Sequence, residues 1–318
     1  MQKQIVSPHS KILLVLLLLV ALGFVVLALF NADYSKLGEG FLGSRNASCV
    51  GIVRINGVIE SGSSSGFLSR ESTRSQDIAD ALKAANEENG VGAILLEINS
   101  PGGGAVASKE TFDEIVASKK PVVAYLGEIA ASGGYYAAAG ASYIVANPNS
   151  LTGSIGARAD LLNYEELLSK IGVRQESIKS GSLKDIGAPY RNITQEEREI
   201  LSSIINESFQ NFRDDVQLAR GDALNKPLFN KYLDARVLSA KQALQAGLID
   251  EIGGRRDALM RTSIFGNVSV GENGLPEECV FEEEGSLLSN LLSKFSSSFA
   301  QSLASSLQEK KVGLRYEA

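Results

Sequence analysis

The residues with the most chemical content sit in the stretch Glu128-Ile129-Ala130-Ala131-Ser132-Gly133-Gly134-Tyr135-Tyr136-Ala137-Ala138-Ala139-Gly140-Ala141. Before it lies Pro121 to Leu126, a short β-branched run that reads as a buried strand. After Ser132 comes an alanine-rich run that favours helix. Ser132 therefore falls at a strand-to-helix turn, among neighbours small enough to let a second backbone or a substrate approach its hydroxyl. The N–H of Gly133 would lie at the helix N-terminus, where unpaired donors favour a developing negative charge. These are the parts of a serine nucleophile with half of an oxyanion hole. They are equally the parts of a helix N-cap serine in a tight Gly/Ala turn, and the stretch by itself does not separate the two.

A serine nucleophile needs a base. The chain has one histidine, His9, and it precedes a long apolar segment, so a Ser-His-Asp triad in the folded domain is excluded. Lysine is the other common partner of a catalytic serine. An ordinary lysine is neutral in only about one molecule in a few thousand at pH 7. A base lysine must be desolvated until its pKa falls by roughly 3 units, about 4 kcal/mol of differential interaction. The candidate is thus a lone lysine in a Gly-rich or apolar setting.

The 318 residues are 44% apolar and carry a net charge of −6, enough for one domain with a sizeable core plus appendages. No basic patch stands out, which argues against nucleic acid as a partner. Two cysteines, Cys49 and Cys279, have no metal-binding spacing; they form one disulfide in an oxidising compartment or remain two thiols. Nothing in the sequence calls for a cofactor or a metal. Ile12 to Phe30 is 19 residues without a charge, long enough to nearly span a bilayer core. Lys3 and Lys11 precede it, which keeps residues 1–11 cytoplasmic and puts the catalytic domain outside, in a periplasmic or extracellular space. Phe30-Asn31-Ala32 is a poor cleavage site, so residues 12–30 read as an uncleaved transmembrane anchor, followed by a polar linker over 31–48.

The elements that must position Ser132 follow from periodicity. Cys49 to Ile59 reads as a strand pair broken at Asn56-Gly57, and Ser61 to Gly66 as a mobile loop. Asp77 to Asn86 and Ala105 to Ser118 have helical patterns. Between them Val91 to Ile98 is an apolar strand running into the turn Asn99-Ser100-Pro101-Gly102-Gly103-Gly104. Tyr143 to Asn147 is a further strand, Leu161 to Ile171 a helix-like segment, and Thr194 to Gly221 a long helix opened by a Thr194/Glu197 capping box. Its stripe of Ile200, Leu201, Ile204, Ile205, Phe209, Phe212 and Val216 suits core or subunit contact. Strands alternating with helices imply an α/β fold with a largely parallel, covered sheet.

Five motifs now occur in order: Ser100-Pro101-Gly102-Gly103; Ala131-Ser132-Gly133-Gly134-Tyr135-Tyr136; Thr152-Gly153-Ser154-Ile155-Gly156; Ser180-Gly181-Ser182-Leu183-Lys184-Asp185; and Gly247 to Gly254. Together, from about Val50 to Ala258, they closely resemble the signal peptide peptidase A (SppA) family of serine proteases. The resemblance implies a ClpP/crotonase-like fold and a Ser/Lys dyad with Ser132 as nucleophile and Lys184 as general base. Lys184 also meets the criterion above through Gly181, Leu183 and Ile186. Asp185 would oppose that role unless it points away. The resemblance makes Ser154 the residue that orients the lysine amine, and the glycine turn the source of a second oxyanion N–H, with Gly103 preferred and Gly102 close behind.

The protease domain is expected over 49–265 and a C-terminal tail over 266–318. The tail holds an acidic cluster at Glu277, Glu278 and Glu282 to Glu284, and an amphipathic stretch from Leu288 to Leu307 suited to protein contact or disorder. The family likeness implies a membrane-anchored serine endopeptidase acting on remnant signal peptides and other unfolded peptides, and a ring-shaped homo-oligomer, an octamer, in which serine and lysine meet across a subunit boundary. Two other functions compete: a crotonase-type acyl-CoA enzyme on the same fold, and a catalytically inactive membrane scaffold.

Overall fold

The computed structural model of the chain describes residues 49–62 and 72–281. The expected cytoplasmic N-terminus, anchor and linker, most of the loop after Ser61, Glu282 to Glu284 and the amphipathic stretch lie outside the described residues. No helix among the described residues is long and apolar enough to cross a membrane.

The strands alternate side chains between two covered faces. In β1 (Cys49–Glu60), Val50 and Ile52 join one buried cluster while Cys49, Val53 and Ile55 join the other. The same division repeats in β3 (Val91–Gly103), β4 (Val122–Ala131) and β5 (Tyr143–Ala146), where Leu95, Val123 and Val145 oppose Ile94, Leu96, Ala124 and Ile144. Burial on both faces is why these strands read as near-continuous apolar runs. The larger cluster is covered by α1 (Ser75–Glu87), α2 (Ala105–Val116) and α3 (Gly133–Ala139). The smaller is covered by α8 (Arg255–Phe265) through Ala258 and Leu259. Each fully buried Ile or Leu contributes about 1.5–3 kcal/mol, so the pattern has ample driving force.

Along the sheet the order is β2-β1-β3-β4-β5-β8, with β2 at Ser72–Arg74 and β8 at Glu251–Ile252. All of these pairs are parallel. The C-terminal end of β4 has its own partner, β6 (Leu151–Gly153), in parallel register Ala131↔Gly153, and β6 pairs antiparallel with β7 (Val237–Ser239). A short helix, α4 (Glu165–Lys170), lies in the long connection after β6, and α5 (Gln195–Arg220) follows. The expected capping box opens α5: Glu197 N–H donates to Thr194 Oγ1 at 3.2 Å, and Thr194 N–H to Glu197 Oε2 at 2.9 Å. At its other end Arg220 pairs with Asp250 at 2.6 Å, so both ends of this long helix are fixed. Two short helices, α6 (Lys226–Lys231) and α7 (Ala240–Ala246), complete the chain up to β8.

Two expectations are corrected. Cys49 to Ile59 is one strand, not a pair. Gly57, at φ 69°, serves a bulge between Asn56 and Val58 in the β1–β3 register instead of a hairpin turn. Asn56 N–H and carbonyl both bond Thr73 Oγ1 (2.9 and 2.7 Å), which ties this part of β1 to β2. The domain also runs past residue 265. A last strand, β9 (Glu278–Val280), pairs parallel with β1 at Val50 to Ile52. Arg255 bonds Glu278 and Glu97, tying β9 to α8 and β3.

Cys49 and Cys279 form a disulfide with a Cα–Cα distance of 5.9 Å, closing a loop across a sequence separation of 230. A loop that long removes much entropy from the unfolded chain. Cys49→Ala/Cys279→Ala is expected to cost about 2–4 kcal/mol of stability, read from urea unfolding of the domain. An unchanged midpoint would mean that β9 is held by its hydrogen bonds and ion pairs alone.

Candidate active site

Ser132 is the single residue between β4 and α3, and its backbone is strained: φ 54°, ψ −123°. A non-glycine residue keeps such a conformation when its surroundings impose it. Here the Ser132 N–H donates to Gly153 O at 2.8 Å, and its carbonyl accepts from Tyr136 N–H at 2.9 Å. The side chain makes no capping hydrogen bond to α3. The N-cap alternative therefore fails, because its hydroxyl would be spent on the helix. Instead Ser132 lines an open cleft of about 920 Å3, together with Gly102, Gly103, Gly133, Ser154 and Tyr136.

The glycine turn packs directly against this serine. Gly102 has φ +100°, and a Cβ there would lie 2.6 Å from Gly133 N and 2.9 Å from Ser132 Cβ. No side chain fits. Gly102 N–H donates to Ser100 Oγ at 3.1 Å and Gly104 N–H to Ile59 O at 2.8 Å. Gly103 N lies close to the Ser132–Gly133 turn: a Cβ on Gly133 would lie 3.1 Å from it. The Gly102 and Gly104 N–H groups are thus taken up by protein acceptors, and Gly133 carries one of the first N–H groups of α3 without an intrahelical acceptor. Ser154 follows the β6 residue paired with Ala131, which brings it beside Ser132 in the same cleft, at φ 54° with its N–H donated to Arg236 O (2.9 Å).

Lys184 is not brought to the cleft within one chain. It sits in a turn with its N–H on Gly181 O at 3.1 Å, and its side chain is exposed. The Gly-rich, apolar flanks thus do not bury it here, because no residue from 158 to 191 is buried. Leu161, Leu162, Leu167, Ile171, Val173 and Ile178 are exposed on the same stretch, Ile178 completely. Asp185 does turn from Lys184, its carboxylate bonding Lys179, Tyr190 and Arg191.

The cleft has walls that residue spacing alone did not assign. The Tyr136 ring stacks on Phe212 of α5 at 4.2 Å and packs on Phe112 at 5.1 Å, and its hydroxyl donates to Asp215. Burial first, and Asp215 second, push the Tyr136 hydroxyl far above its ordinary range, so it stays protonated. Its place was legible: Tyr136 is one helical turn beyond Ser132. Ser108 of α2 is 2% exposed, and its Oγ has no hydrogen-bond partner. A Cβ on Gly133 would come within 2.1 Å of that oxygen and 3.0 Å of Ser108 Cβ. Gly133→Ala should therefore disturb the turn, at a cost of about 1–3 kcal/mol in stability, and Ser108→Ala in the same chain should recover part of it. Urea unfolding of the two variants checks this; no recovery would place the strain elsewhere.

Residues 114–268 match the model of peptidase family S49. That span is just under half of the chain, and over it the chain is similar to the family. The S49 match takes in Ser132, Ser154 and Lys184, and leaves out β1 and the glycine turn at the end of β3. Among curated relatives, a protein of Methanocaldococcus jannaschii named as a protease is 40% identical over 201 residues, 62% of this chain and 64% of its own length. An Enterococcus faecium protein named for signal peptide peptidase SppA is 37% identical over 208 residues, covering 64% of this chain and 60% of that protein. The chloroplastic serine protease SPPA of Arabidopsis thaliana is 35% identical over 58% of this chain and 27% of its own. The chain thus spans about three fifths of the length of these first two curated relatives. Among solved structures, the 1510-N membrane-bound stomatin-specific protease aligns over 73% of this chain and 97% of its own, at 20% identity and a TM-score of 0.45. A ClpP1 variant from Listeria monocytogenes aligns over 65% and 93%, at 20% identity and a TM-score of 0.43.

Proposed function

We propose that this protein is a membrane-anchored serine endopeptidase of family S49 and of the SppA type, with a ClpP/crotonase-like fold and a Ser/Lys dyad. Ser132 Oγ attacks the scissile carbonyl carbon and its proton passes to Lys184 Nζ, which hands it to the leaving amine. The N–H groups of Gly133 and Gly103 stabilise the oxyanion. Water, deprotonated by the same lysine, then releases the acyl group from Ser132. Ser154 accepts a hydrogen bond from the lysine amine and aims its lone pair at Ser132. The observation that carries this assignment is the strained Ser132, whose side chain makes no capping bond to the helix and lines a cleft beside the glycine turn and Gly133.

Lys184 comes from a neighbouring subunit. An exposed base on a stretch with six exposed apolar side chains, with Lys109, which is ion-paired, the one lysine lining the cleft among the described residues, fits a shared site in a ring, an octamer. Residues 12–30 anchor the ring with the domain on the extracytoplasmic side, a compartment that suits the Cys49–Cys279 disulfide. Substrates are remnant signal peptides and other unfolded segments, since an extended chain can pair with a strand edge and a folded one cannot.

The test is covalent labelling of the detergent-solubilised full chain with a fluorophosphonate. Label on Ser132, lost in Ser132→Ala, is expected. An unlabelled chain that binds coenzyme A would turn the assignment to acyl-CoA chemistry, and an unlabelled chain that binds neither would make it a scaffold. Ser154→Ala should lower turnover less than loss of Ser132, because it removes an orienting bond and no reacting atom; an equal loss would give Ser154 a direct role.

A further inference from the structure

Next to Lys184 in the chain stands an acid. A carboxylate free to face the amine of Lys184 would favour its protonated form and oppose its use as a base. In the structure the Asp185 carboxylate is already engaged on both oxygens. Lys179 Nζ bonds Oδ1, and also the Ser182 carbonyl at 3.0 Å. Arg191 bonds Oδ2 through Nε at 3.1 Å and Oδ1 through Nη2 at 2.8 Å, while the Tyr190 hydroxyl donates to Oδ2 at 3.3 Å. Arg191 Nη2 also holds the Asp185 carbonyl at 3.1 Å. The same guanidinium reaches Glu197, through Nη1 to Oε2 at 2.9 Å and through Nη2 to Oε1. Glu197 is buried and is the capping-box residue of α5.

We propose that Arg191 is a positioning residue for the base: its two-sided clamp on Asp185 and Glu197 keeps the acid from pairing with Lys184 and fixes the lysine turn to the first turn of α5. The inference rests on Lys184 as the base and adds what makes that base usable. Two cations, Lys179 and Arg191, face two carboxylates, Asp185 and Glu197, so the cluster beside Lys184 has no net charge. The fork geometry of arginine suits this task, because one group holds two carboxylates and a carbonyl at once. Arg191, followed by Lys179, holds the Asp185 carboxyl well below the usual carboxylate range. Arg191, followed by the Thr194 N–H, lowers Glu197 to about 2. Both acids therefore stay charged throughout the neutral and alkaline range, and a movement of the activity profile there is not their own titration.

The experiment is the pH profile of kcat/KM for peptide cleavage by the solubilised full-length oligomer. Arg191→Met is expected to move the rising limb about one unit toward higher pH, roughly a tenfold loss at pH 7. Arg191→Lys, which keeps a charge but not the fork, should move it less. Adding Asp185→Asn to Arg191→Met should return the limb close to its original position, because the acid that the clamp restrains is gone. An unmoved limb in Arg191→Met overturns the proposal, as does a shift that persists in the double variant. If Arg191→Met is inactive at every pH, the double variant decides: recovery supports the clamp and no recovery overturns it. Lys184→Ala separates the two levels. Full turnover in that variant removes the base assignment and this inference together. An inactive Lys184→Ala with an unmoved limb in Arg191→Met overturns this inference alone.

Discussion

Ser132→Ala and Lys184→Ala are each expected to lower kcat/KM for an unfolded peptide by about 10⁵-fold, with the double variant little worse than either. The reason is that both side chains act in one proton transfer. Without the hydroxyl there is no acyl-enzyme, and without the amine the hydroxyl keeps its proton, so removing the second partner finds nothing left to lose. Neither change should unfold the protein. The Ser132 side chain caps nothing, and Lys184 is exposed in the chain. Thermal unfolding of both variants should stay within a few degrees of the native protein, which separates lost chemistry from lost structure. A Lys184→Ala protein with native turnover would end the dyad assignment. A double variant far worse than both singles would mean that the two residues act in separate steps.

How much of this could be read from the residues depends on the range of each interaction. The parallel sheet and its helices were legible because period-2 and period-3.6 apolar patterns are local, and so was the Thr194/Glu197 capping box. Asn56-Gly57 was misread because the same dipeptide serves a hairpin turn or a bulge, and the choice is made by Thr73 on a separate strand. The choice among Gly102, Gly103 and Gly104 needed partners that no spacing reveals, Ser100 Oγ and Ile59 O. β9 escaped because three residues carry no periodicity, and its disulfide partner lies 230 positions away. The setting of Lys184 was the hardest. Its flanks suggested burial, yet within one chain the turn is exposed, and the groups that govern its neighbour Asp185 are spread from Lys179 to Arg191.

That exposure makes a second large effect measurable. Ser132→Ala and Lys184→Ala protein, each inactive alone, should regain activity when mixed under conditions that exchange subunits. In a ring whose sites take serine from one subunit and lysine from the next, a random 1:1 mixture gives roughly a quarter of the interfaces an intact pair. Activity should therefore rise from background to about a quarter of the native value, a change of several orders of magnitude from two inactive parents. Exchange is verified independently by resonance energy transfer between differently labelled subunits. The apolar side chains from Leu161 to Ile178 supply a second handle. Replacing exposed Leu162 and Ile178 by Asp should weaken assembly and lower activity together, while a disulfide-intact domain stays folded. Proven exchange without rescue would place both halves of the site in one chain, by a movement of the 158–191 stretch onto its own cleft. A monodisperse monomer with full activity in light scattering would exclude the shared site without any mixing.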